Sequence, residues 1–391
     1  MQADDGSVFV PFGFDDAYLA YLSESWVSAA PQHRLSDGQL QMYYLLKHLL
    51  PRRFWLTARR AYIRHGRSRP AFPDWPLDRS VENLLRFYAH CLLVQAEREE
   101  APFAWFWPGA YRAAVILTHD VESAEGLKLA LELCDAEERR GLRSSFNVVG
   151  GDYPIDYGIV NEIRERGFEI GLHGLVHDRS LFSSRESFDE QLRRLEEAAD
   201  RLGSVGFRSP ATYRNPDWIQ ELPADYDSTF PHSDPYEPQP GGCCSIWPYF
   251  LGSMVELPYT MPQDHTIFTL LGEKTPALWL DQMARLEQSF GLIELLSHPD
   301  RGYLGDRRKR VLYEQTLDVI AGNDRLWKPL PKELASWWRR RDSGESADQR
   351  YGTFRRADSS SFAVFVPPET SSSVEWNSPN HIERVQTHGN H

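Results

Sequence analysis

The sequence predicts a parallel α/β fold through its middle section, and two observations carry that expectation. From about residue 110 onward, short apolar runs with strand character alternate with amphipathic helical patterns. Residue types suited to chemistry then fall at or just after the ends of those runs, where parallel barrels and sheets build their sites.

Residues 1–108 come first and are rich in aromatics. LQMYYLLKHLLP reads as a helix, AFPDWPLD as a Pro-rich turn, and SVENLLRFYAHCLLVQAERE as a second helix with Asp78 or Ser80 as its cap. No catalytic motif appears there, so the stretch is assigned as a helical accessory region. AAVILTHD then reads as a buried strand ending in polar groups. LKLALELCDAEERRG follows as a helix closed by Gly141, RSSFNVVG as a strand, and YGIVNEIRERG as a helix closed by Gly167. FEIGLHG is the next strand, FDEQLRRLEEAADRLG the next helix and VGFRSP the strand after it. Residues 109–335 are assigned to this catalytic domain. Residues 336–391 turn to Ser, Arg, Asp and Gly and read as a disordered tail, in which FAVFV could dock as a short strand.

Composition narrows the function class. The 391 residues are 41% hydrophobic and 25% charged, and no apolar run reaches membrane-spanning length. A formal charge of −13 argues against a nucleic-acid binder. Residues 51–69, PRRFWLTARRAYIRHGRSR, are basic against that background; they suit a solvated helix face, or a surface turned to a phosphate, an acidic glycan or a membrane. The first residues lack the pattern of a secretory signal, and four cysteines, two of them adjacent, make a poor disulfide framework. Both features predict a cytoplasmic protein.

The chemistry concentrates in two short segments. His173 and His177 stand four apart in EIGLHGLVHD, a spacing that puts two imidazoles on one side of a helical turn. Upstream, LTHDVE carries Asp120 and Glu122, which on an extended strand share a face. Two imidazoles and a carboxylate make a three-ligand site for a divalent cation with a position left for water, and Asp120 is a candidate base beside it. Zinc is the first expectation, with cobalt, nickel or iron as alternatives, because such a donor set accepts several metals. His119 points away from Asp120 and reads as a buried, hydrogen-bonded histidine. Asp178 is placed to support a ligating histidine from behind.

These motifs resemble, in order, those of the NodB-homology polysaccharide deacetylases of carbohydrate esterase family 4. The likeness covers about residues 110–305. Thr118-His119-Asp120-Val121-Glu122 resembles the family's first motif in its D-x-D/E form, which implies Asp120 as base and Glu122 as metal ligand. His173-Gly174-Leu175-Val176-His177 matches H-[S/T]-x-x-H in its ligands, with Gly174 in place of the hydroxyl residue. Arg208-Ser209-Pro210-Ala211-Thr212-Tyr213 matches R-x-P-x-x-Y intact. There the resemblance implies that Arg208 orients the base and that the Tyr213 N–H binds the developing oxyanion, while Asp227 resembles the acid that buttresses the arginine. Leu295-Leu296-Ser297-His298 matches L-x-x-H and implies His298 as general acid. ELPYTMPQDHTIF resembles a segment of bacterial members linked to surface-polysaccharide synthesis, with Gln263, Asp264 and His265 near the substrate.

The resemblance implies a distorted (β/α) barrel preceded by the helical region. It implies a metal-dependent deacetylase acting on an N-acetyl, or alternatively an O-acetyl, group of a sugar or oligosaccharide, in biosynthesis. Two other readings stay open. One is hydrolysis of another C–N bond in a small amide; the other is a silent carbohydrate-binding relative.

Overall fold

The computed structural model describes residues 9–29, 72–236, 239–345, 351–356 and 363–368. The helix expected over LQMYYLLKHLLP and the basic segment 51–69 lie outside these residues.

The strand that organises the molecule is Ala113–Val121, here β2, in which all nine residues are buried. A run so apolar must be covered on both faces and paired on both edges, which is the situation of a central parallel strand. It pairs in parallel with Ser145–Val148 (β3) and with Leu292–Ser297 (β9), and its first residues pair with Leu326–Trp327 (β10). From β3 the sheet continues in parallel through Glu169–Leu172 (β4), Gly206–Phe207 (β5), Tyr226–Asp227 (β6) and Met254–Glu256 (β8). Tyr249–Leu251 (β7) closes the order as its one antiparallel member. The nine strands curl into a half-barrel with helices around it, the distorted (β/α) barrel that the motifs implied.

In chain order the longer helices are α1 (Phe14–Leu22), α2 (Ser80–Gln95), α3 (Ala124–Glu138) and α4 (Tyr157–Glu165). They continue with α5 (Arg185–Leu202), α6 (Ala277–Gln288), α7 (Arg307–Ala321) and α8 (Pro331–Ser343). α3 starts three residues before the expected run because Ser123 caps it, its Oγ accepting from the Gly126 N–H at 3.0 Å. At α2, Asp78 accepts the Ser80 N–H at 2.7 Å.

Both flanks depart from expectation. The stretch read as a helical accessory region contains strand β1 (Glu100–Ala104), and the stretch read as a disordered tail contains the end of α8 and two strands, β11 (Tyr351–Arg356) and β12 (Ala363–Val366), the second on the FAVFV run that could dock. These three strands form a separate sheet in the order β1-β11-β12. Its cause is aromatic packing that average composition hides. Phe103 lies 4.3 Å from Phe354 between ring centroids, and Phe354 lies 4.8 Å from Phe365.

The region before the barrel is also fastened to it by buried polar contacts. The Asp78 N–H donates to His232 Nε2 at 2.9 Å, and Ser233 Oγ donates to the Asp74 carbonyl at 2.6 Å. Arg214 meets Glu24 through two hydrogen bonds of 2.6 Å and donates to the Thr212 carbonyl at 2.8 Å. None of the helices among the described residues is long and apolar enough to cross a membrane.

Candidate active site

The chemistry-bearing residues gather at the carboxyl ends of four barrel strands. Asp120 is the penultimate residue of β2 and Glu122 lies just beyond its end; His173 follows β4, Arg208 follows β5 and His298 follows β9. Parallel pairing brings these ends together, although up to 178 positions separate contacting residues along the chain.

Glu122, His173 and His177 place three ligand atoms within 4.8 Å of one another. The histidines do not share a helical turn, as their spacing suggested; β4 ends at Leu172 and the chain bends at Gly174, whose φ is +68°. A side chain there would also strike the ring of Pro210, 2.8 Å from its Cγ, which accounts for glycine where the resembled motif has Ser or Thr. The bend is held instead by the Gly150 N–H on the Gly174 carbonyl at 2.8 Å and the His177 N–H on Asp152 at 2.6 Å. Asp178 accepts the Ser180 N–H and takes no part in holding a histidine ring.

The donor set fits a divalent cation. His173 Nδ1 donates to the Arg208 carbonyl at 2.9 Å, so Nε2 carries the lone pair, and that buried atom has no hydrogen-bond partner. Burial pushes the His173 imidazole down to about 4, which keeps it neutral as a ligand must be. Glu122 lies 3.0 Å from His177 Nε2. Burial works to raise its pKa, but that hydrogen bond and the nearby imidazoles hold the carboxyl well below its ordinary range.

Asp120 sits beside this set, 3.8 Å from His173 Nε2 through Oδ2. Its Oδ1 accepts from Asn147 Nδ2 at 2.9 Å and from Arg208 at 3.2 Å. Burial raises the carboxyl's pKa, yet His173, Arg208 and His298 together outweigh it and keep the group ionised. Arg208 is fully buried and its fork is filled: Thr118 Oγ1 at 2.8 Å, the Ser228 carbonyl at 2.6 Å, Ser228 Oγ at 2.6 Å, and Glu294.

For two implied roles the structure shows other hydrogen-bond partners. The arginine's second carboxylate is Glu294 on β9 and not Asp227, which instead accepts the Thr229 N–H and hydroxyl and pairs with Glu256. β9 lies directly beside β2, so its acid reaches the guanidinium first. The Tyr213 N–H, implied as an oxyanion donor, donates to the Pro210 carbonyl at 3.2 Å. Left-handed φ values of 49° at Ala211 and 55° at Thr212 curl the turn so that this bond closes on itself.

His298 lies 3.7 Å from Glu122 through Nε2. Its Nδ1 pairs with the buried Asp264 at 2.7 Å, and its backbone N–H donates to the same carboxylate at 3.1 Å. Burial opposes the charge, but Asp264 outweighs it and lifts the imidazole to about 10. The ring of Tyr303 covers it at 4.7 Å. His119 is buried between Ser297 at 2.9 Å and Glu137 at 2.8 Å, away from the site, as its opposite orientation on the strand requires.

No protein-family model matches the sequence, and no curated protein matches it. Solved structures do. A protein assigned as a polysaccharide deacetylase from Mycobacterium smegmatis is similar at 20% identity and a TM-score of 0.48, over 66% of this chain and 98% of its own. The allantoinase PuuE is similar at 13% identity and a TM-score of 0.46, over 61% of this chain and 94% of its own. A family 4 carbohydrate esterase from Streptomyces lividans is similar at 17% identity and a TM-score of 0.36, over 56% of this chain and 93% of its own.

Sequence reasoning missed Asn147 and Glu294 and gave Asp264 no role. A signal existed for two of them. Glu294 in LIELLS and Asn147 in SFNVV are single polar residues inside apolar strands, and a buried polar group needs a partner.

Proposed function

We propose that this protein is a metal-dependent hydrolase that removes an N-acetyl group from a sugar or oligosaccharide, with O-acetyl groups as the second substrate class. The observation that carries the reading is the arrangement of one buried, partnerless imidazole nitrogen, on His173, with His177 and Glu122, with Asp120 beside His173 as base and His298 beside Glu122 as acid. The residue order of the resembled deacetylases supports the substrate class.

Glu122, His173 and His177 would hold the cation. When bound there, a divalent metal supplies Lewis acidity toward water and toward an acyl oxygen. The chain's own groups do the proton work. Asp120 Oδ1 is occupied by Asn147 and Arg208, so Oδ2 is the atom that accepts the proton of the attacking water. Arg208 keeps Asp120 ionised and in one rotamer, and Glu294 with Ser228 keeps Arg208 in place. His298 has Nδ1 committed to Asp264 and gives its Nε2 proton to the departing nitrogen. Water enters, and acetate and a free amine leave.

The test is metal content by elemental analysis, beside a His173→Ala His177→Ala double variant, followed by hydrolysis assays on acetylated sugars and small amides. About one divalent metal per chain, absent from the double variant, with release of acetate from a sugar, is the expected result. Folded protein that takes up no metal after reconstitution sinks the reading, and turnover of small amides alone moves the substrate class.

A further inference from the structure

Asp300 lies two residues beyond His298, is 7% exposed, and is not used by the proton transfers above. Its carboxylate reaches across to the end of β2. Oδ2 accepts the Glu122 N–H at 3.0 Å, and Oδ1 accepts the Ser123 hydroxyl. The Ser123 Oγ is in turn the cap of α3.

A glycine leaves the room that this carboxylate occupies. A Cβ on Gly126, in the first turn of α3, would lie 2.4 Å from the Asp300 carboxyl atoms. An acid from the β9 loop thus fills the space that a side chain on α3 would take. Its own loop is closed by the Tyr303 N–H on the Asp300 carbonyl at 3.1 Å and the Leu304 N–H on the His298 carbonyl at 3.0 Å. On its far side, Tyr153 Oη donates to the Val121 carbonyl at 2.8 Å, so the one peptide that joins Val121 to Glu122 is gripped at both its carbonyl and its N–H. Glutamate has a longer, freer arm than aspartate. Fixing its backbone is the means left to aim it.

We infer that Asp300 is a positioning residue: through the Glu122 N–H it sets the backbone from which the metal-binding carboxylate projects, and registers it against the loop that carries His298. This rests on the metal-site reading above. If Asp300 only reinforced the cap of α3, its loss would lower thermal stability and leave metal affinity alone.

The experiment titrates cobalt(II) into metal-free, full-length wild type, Asp300→Asn and Gly126→Ala, with circular dichroism and melting measured on each. Gly126→Ala changes no charge and favours helix, yet pushes the carboxylate aside. Cobalt binding 10- to 100-fold weaker in both folded variants is expected, the usual range for groups that orient ligands from behind. Wild-type affinity in either folded variant overturns the inference while the metal reading stands. A wild type that binds no cobalt overturns the metal reading, and this inference with it.

Discussion

The ring of Pro210 fills the space where a side chain on Gly174 would stand, 2.8 Å from its Cγ. The two belong to different motifs, and this packing ties the turn between His173 and His177 to the segment after Arg208. It also reverses a natural guess. Gly174→Ser restores the hydroxyl of the resembled motif, but it must adopt φ near +68° and displace the proline ring. The expected cost is about 1–3 kcal/mol from the backbone alone. Urea unfolding measures it, and a variant as stable as wild type would contradict the packing argument.

Asp120 and Glu122 are expected to separate cleanly on mutation. Asp120 is outside the set of three converging ligand atoms, so Asp120→Asn should keep the metal while turnover falls roughly a hundred- to ten-thousand-fold. Elemental analysis and acetate release on the same preparation decide it. Loss of metal in that variant would refute the division of roles.

Glu24 and Arg214 form a buried pair, with side chains 6% and 0% exposed. Glu24→Gln leaves the guanidinium uncompensated, and breaking one side of such a pair costs about 3–5 kcal/mol. The midpoint of urea unfolding should drop accordingly. A Glu24→Met Arg214→Met double variant should recover part of the loss, because it removes both charges together.

Glu169 gives stability a pH dependence of predictable sign. Burial pushes its carboxyl up to about 7 from an ordinary 4.5, against the opposing hydrogen bonds from the Lys332 N–H and the Tyr226 hydroxyl. Between those values the folded chain holds a proton that the unfolded chain has released. Stability contributed by this group therefore falls as pH rises from about 4.5 to about 7 and is level above that. Unfolding at pH 5 and pH 8 should show the slope in wild type and a shallower one in Glu169→Gln. Glu294, also raised to about 7, supplies a slope of the same sign that remains. An unchanged slope would show that Glu169 is not the group responsible.

What the sequence made legible were groups packed into short motifs: the histidine pair, the D-x-E step, Arg208 and His298. Their partners were not, for a physical reason. Asn147, Asp264 and Glu294 each reach the site from a separate strand or turn, so no fixed spacing links them to the residues they serve. Choosing Glu294 over Asp227 needed the knowledge that β9 adjoins β2. Reading a helical turn into the histidine pair failed at Gly174, where a left-handed residue brings two rings together that a helix would have stacked one turn apart. Of the strands in the tail, FAVFV was legible as one that could dock, but Tyr351–Arg356 was not, because its Phe354 finds Phe103 only across the length of chain that makes the barrel.

The small sheet has a mechanical consequence. β1 runs into the barrel and β11 runs out of it, antiparallel, with Glu100 opposite Arg355 and Ala104 opposite Tyr351. Entry and exit therefore lie at one end of that ladder. Tension applied at Glu100 and Arg355 would open it like a zipper, rung after rung from that end, and would not load all its hydrogen bonds at once in shear. The barrel lies beyond the last rung, Ala104–Tyr351, so the β1–β11 ladder stands between tension applied at Glu100 and Arg355 and the chain that leads to β2.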